Sequence, residues 1–176
     1  WAHSQSISIA TEFIPGKLNV IADQLSRRNQ ILPTEWTIAP QALTPLWDLW
    51  GKPWVDLFAT KYNHQMDCYF SPVRDSEAMG RDAFARSWAG MFAYAYPPTA
   101  LIPRVLAKAS VDKPILILVA PYWPGTPWFP DLLGLARGRF VHLFLTSQTL
   151  VQSKSRMGHP NPQILKLTGF LLSPED

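Results

Sequence analysis

Proline punctuates this chain from end to end, and that limits every regular element to a short run. Seventeen prolines in 176 residues argue against a helical bundle and for many brief elements joined by stiff turns. Between them, short apolar runs alternate with segments of helical spacing. Strands are expected over 5–13, 54–59, 90–96, 114–120 and 139–145. Helices are expected over about 18–28, 41–51, partly over 75–88, and over 99–109 and 127–136. Residues 29–40 read as a linker and 147–163 as an extended polar tail. A last apolar piece, 164–172, either packs back or leads into a following domain. Strands separated by helices specify a three-layer, parallel α/β sheet. Ligands of such sheets sit outside the carboxyl ends of the strands, here 56–60, 96–99, 121–126 and 146.

Hydrophobic residues make up 47% and charged residues 16%, so the chain can bury a sizeable core and is not disordered as a whole. One cysteine, Cys68, excludes an internal disulfide framework and reads as a core thiol. No run approaches the ~20 apolar residues of a membrane helix. The N-terminus lacks the pattern of a signal peptide and does not begin with Met, so the chain reads as a piece of a longer, intracellular polypeptide, cytoplasmic or nuclear. The net charge of +3 permits contact with nucleic acid without demanding it. Phosphate-loop, dinucleotide and nucleophile-elbow motifs are missing from the sequence.

The stretch 12-EFIPGKLNVIADQLSRR-28 carries the first recognisable pattern. A strand, a Pro-Gly turn and a basic helix bearing Asp23 resemble the end of the RNase H domain of retroelement reverse transcriptases. The resemblance makes Asp23 the last member of a carboxylate set that holds Mg²⁺. Two-metal hydrolysis needs several carboxylates around ions about 4 Å apart, and the others would lie upstream of Trp1. The fragment alone is therefore not expected to cut RNA.

A second pattern runs through V-D-L-F-A-T-K-Y-N (55–63), D-A-F-A-R-S-W (82–88), A-Y-P-P (95–98) and L-V-A-P-Y-W-P-G-T-P-W-F (118–129). Its order resembles phage-type DNA adenine methyltransferases. The combination of RNase H tail and methylase-like domain, followed by H-P-N-P-Q-I-L-K-L (159–167), is similar to the polymerase polyprotein of DIRS-type retrotransposons. The resemblance implies a Rossmann-like, methyltransferase-like, mostly parallel sheet with flanking helices, preceded by a partial RNase H strand and helix. The domains expected are 1–28 (RNase H end), 29–50 (linker and short helix), 51–146 (methyltransferase-like) and 147–176 (tail toward a recombinase).

Adenine methylases flip the base and grip its amino group with an Asn or Asp side chain and a Pro carbonyl. Tyr96, Pro97 and Pro98 stand in that motif, with Tyr96 in the polar slot and Thr99 in the aromatic slot. Asp56, Phe58, Asn63 and Asp82 take the positions of S-adenosylmethionine contacts, although 56–63 has no glycine. Asp56, Asn63 and Asp82 also have a structural reading: Asn63 as a loop holder, Asp82 as a helix cap. Lys17, Arg27, Arg28, Trp123, Arg137 and Arg139 are the candidates for phosphate and base contacts. Three functions are expected from this: a degenerate domain that binds or scaffolds nucleic acid, DNA or an RNA–DNA hybrid, during reverse transcription; an active DNA adenine N6-methyltransferase; or a structural spacer.

Overall fold

The structure is a computed structural model that describes residues 36–153 and 156–174. Asp23, Lys17, Arg27 and Arg28, and with them the RNase H-like strand and helix, lie outside the described residues. The chain forms a six-stranded mixed sheet with few helices, and a separate two-stranded sheet. The expectation of an α/β fold is met at that level.

The large sheet is built from β2 (Val55–Asp56), β3 (Cys68–Tyr69), β4 (Phe92–Ala95), β5 (Ile115–Pro121), β6 (Phe140–His142) and β8 (Leu167–Leu172), in the order β3-β2-β4-β5-β8-β6. The pairs β2–β3, β2–β4 and β4–β5 are parallel, whereas β8 runs antiparallel to both β5 and β6. The small sheet pairs β1 (Trp36–Ile38) with β7 (Leu150–Gln152), antiparallel. Central β5 is buried at six of its seven positions, which is why it reads as a continuous apolar run.

Side-chain alternation divides the helices between the two faces. Ala93 and Ala95 join the core formed with α2 (Ile102–Asp112) and α3 (Phe129–Ala136). Tyr94 points the other way, edge-on to Trp47 of α1 (Pro40–Trp50) at 5.5 Å. All three helices carry proline in the first turn, where the missing N–H has no helical partner to lose. Gly51 ends α1 at φ 85°, and its N–H donates to Trp47 O.

Four expectations are corrected. Residues 75–88 hold no α-helix but bends and one 3-10 turn (Ala83–Ala85). Gly80 is bridged to Phe70, and the Tyr69 hydroxyl holds Asp75, so local bonds outcompete the helical ladder. The stretch 29–40 holds β1, and the polar tail holds its partner β7. The piece 164–172 packs back: β8 is fully inside the sheet, so the sheet is mixed where it was expected to be mostly parallel. Cys68 is exposed on edge strand β3. No helix among the described residues is long and apolar enough to cross a membrane.

Candidate functional site

From β2 the chain steps outward to β3, then returns across β2 to β4. Strand order therefore reverses between β2 and β4, and ligands of open α/β sheets ordinarily sit outside the carboxyl ends at such a reversal. D-L-F-A-T leaves β2 there, and Y-P-P leaves β4.

Asp56 closes β2 with its carboxylate buried at 2% exposure, on the Tyr94 side of the sheet. Oδ1 accepts the Phe58 N–H at 3.2 Å and Oδ2 the Gln65 N–H at 3.0 Å. Burial pushes this carboxyl up to about 7, against the pull of the two N–H groups and of His64. Asn63 Oδ1 accepts the Thr60 N–H at 2.7 Å and the Thr60 hydroxyl at 3.0 Å, which closes the loop on itself. Gln65 Nε2 donates to Ile38 O at 2.8 Å, fastening the loop to β1. The His64 ring stacks on Tyr69 at 4.6 Å. Burial first, and then the bond to Asp75, raises the Tyr69 phenol to about 12.

On the β4 side, burial holds the phenols of Tyr94 and Tyr96 well above the ordinary tyrosine range. Tyr96 is half-buried, Pro97 buried and Thr99 exposed. The Pro98 carbonyl accepts the Leu101 N–H at 2.8 Å and so starts the 3-10 turn that leads into α2.

On the α2 side of the sheet, aromatic rings pack on one another after β2. Phe58 meets Phe84 edge-on at 5.3 Å and Trp88 at 6.4 Å. Asp82 Oδ1 accepts the Phe84 N–H at 2.9 Å and caps the turn that carries this ring. Trp88 is fully buried, its indole N–H on Ala83 O and its backbone N–H on Asp112. That backbone bond and Lys108 hold the Asp112 carboxyl below the usual range. The Arg104 guanidinium of α2 lies 3.9 Å from the Phe84 ring centre, and Lys108 Nζ 5.3 Å from that of Trp88. Arg81, Arg86 and Arg104 are exposed, and no described carboxylate pairs with them.

The structure places Asp56, Phe58 and Asn63 at and after the end of β2, and Tyr96, Pro97 and Pro98 at the end of neighbouring β4, while Asp82 caps the turn that carries Phe84. The remaining nucleic-acid candidates are divided. Half-buried Trp123 follows β5 at the carboxyl edge, where its carbonyl accepts from Thr126. Exposed Arg137 and half-buried Arg139 join α3 to β6 at the amino edge, so they share no surface with Trp123. Arg81, Arg86 and Arg104 were not among the sequence candidates. The string R-D-A-F-A-R (81–86) does interleave arginine with an aromatic residue; nothing in the sequence ties Arg104 to Phe84. No protein-family model matches the chain, and no curated protein is significantly similar to it.

Proposed function

We propose that residues 36–174 are a Rossmann-like, methyltransferase-derived domain of a retroelement polymerase polyprotein that holds nucleic acid without transferring methyl groups. Its derivation is supported by position: the D-L-F-A-T and Y-P-P segments leave the two strands on either side of the strand-order reversal. The observation that carries the binding role is the aromatic wedge. Phe58, Phe84 and Trp88 pack together after β2, where on this reading a cofactor would approach. Arg104 lies on Phe84 of this wedge, exposed Arg81 and Arg86 flank Phe84 in the chain, and the three are the basic ledge of this reading. A guanidinium lying on Phe84 offers its other face to an unpaired base, and its charge to phosphate. The Asp23 end belongs, on this reading, to an RNase H whose other carboxylates come from upstream.

Methyl transfer at Tyr96-Pro97-Pro98 is the second reading, favoured by the place of those residues after β4, the strand paired beside the Asp56 end of β2. Against it, the Asp56 carboxylate and the Pro98 carbonyl already accept backbone N–H groups.

The test is fluorescence anisotropy of a labelled single-stranded oligonucleotide over a salt series. Both arginines substituted are exposed, so the Arg86→Gln/Arg104→Gln variant folds. It should bind about tenfold more weakly at low salt, with a log–log salt slope shallower by about 1 to 1.5. Salt-dependent binding unchanged in the variant would remove the ledge, and an absence of binding would leave the spacer function.

A further inference from the structure

Farther along the carboxyl edge, the end of β6 and the start of β8 frame a cavity of about 210 Å³. Its walls are His142, Leu143, Gln163, Lys166 and Leu167, with no acid among them. Antiparallel pairing sets His142 opposite Thr168, which is fully buried. The Thr168 hydroxyl donates its one proton to Lys166 O at 3.0 Å. It therefore accepts from His142, whose Nδ1 carries the hydrogen at 2.8 Å. That bond selects the tautomer and leaves Nε2 as the open nitrogen of the ring. The Tyr122 ring stands edge-on to the imidazole at 5.1 Å and Phe140 lies at 5.5 Å, so the ring is aimed as well as bonded. Gln163 Nε2 is committed to Leu145 O at 2.5 Å, which fixes that wall. Lys166 is exposed and stands in left-handed backbone at φ 45°, a conformation that glycine or asparagine adopts at lower cost.

We infer that this cavity binds a phosphate monoester, gripped by the Lys166 ammonium and by Nε2 of His142. The ammonium supplies the charge and the imidazole supplies a proton partner. A terminal phosphate carries an ionisable proton that the open imidazole nitrogen can share with it. A phosphodiester has no such proton, and the site should prefer a terminal phosphate to an internal one. Two sources carry that group: a free nucleotide and the phosphorylated end of a nucleic-acid strand. The inference stands on the cavity and does not depend on the arginine ledge.

The experiment follows the His142 ring resonances by NMR in the full chain, with His64 and His159 as internal references for the fold. Inorganic phosphate, adenosine 5′-monophosphate, and one oligonucleotide with either a 5′-phosphate or a 5′-hydroxyl are added in turn. Saturating shifts are expected with the three phosphate-bearing probes, and at least about tenfold weaker binding of the 5′-hydroxyl strand. Lys166→Asn removes the charge while tolerating the backbone conformation, and should weaken phosphate binding by about tenfold. Tighter binding of the phosphorylated strand than of the mononucleotide assigns a strand end, and equal binding assigns the free nucleotide; both uphold the site. A His142 signal unmoved by millimolar phosphate in the folded protein, or undiminished binding by Lys166→Asn, would overturn it.

Discussion

Asp56 shows at one residue how the loop after β2 is held. A carboxylate at 2% exposure with only two N–H donors is under-compensated, and its proton affinity rises to about 7. The unfolded chain releases that proton near the ordinary carboxylate range, about 3.9. Between those values the folded state binds more protons than the unfolded one, so stability contributed by protonated Asp56 is present at low pH and lost as pH rises from about 4 to 7. The loss is on the order of 4 kcal/mol, a large share of a domain's usual 5 to 15. Asp56→Asn keeps one acceptor, faces a donor with a donor, and removes the titration. Denaturant midpoints measured across this range should show wild type ahead of the variant at pH 4, with the gap closing toward pH 7. A gap independent of pH would contradict the burial account. Asp56 was legible in the sequence as a strand-end acid, because D-L-F-A-T breaks an apolar run with one charge. Its service to the backbone was not, since both donors come from the folded loop.

Among the elements, β8 decides the shape of the sheet. It separates β5 from β6 and passes beneath α1. Gly169 makes that passage possible: a Cβ there would lie 2.6 Å from both Leu46 methyl carbons. Leu46 is itself fully buried, so Gly169→Ala must displace the helix or force a poor rotamer. It should cost about 1 to 3 kcal/mol in chemical denaturation. Leu46→Ala should cost less in that background than in wild type, and additive effects would show that the two do not touch. The order of β2, β4, α2, β5 and α3 was legible because each has an uninterrupted local pattern. β8 was legible only as an apolar piece, since its partners lie far upstream and a polar stretch separates it from β6. The 75–88 segment misled because its alanines mimic helical periodicity, whereas Asp82 caps a new turn and Asp75 is spent on Tyr69.

For the whole molecule, one edge of the sheet gathers most of the candidate chemistry. Asp56 with Tyr96-Pro97-Pro98, the Phe58 ring, Trp123, and the His142–Lys166 cavity all follow the carboxyl ends of strands or the start of the antiparallel one. Arg137 and Arg139 fall at the other edge because α3 returns the chain there. Strand-end positions could be read in the sequence from where apolar runs stop. Pairings across the fold, Arg104 on Phe84 and His142 on Thr168, could not, because they join segments that only the topology makes neighbours. The central proposal is that Phe58, Phe84 and Trp88 pack where a cofactor would approach the end of β2. Calorimetric titration of S-adenosylmethionine into the full chain, shown to be folded by its near-ultraviolet aromatic signal, tests this most directly. The account predicts no saturable heat at millimolar ligand. Saturable micromolar binding that Asp56→Ala abolishes would contradict it and establish a working cofactor site at the end of β2.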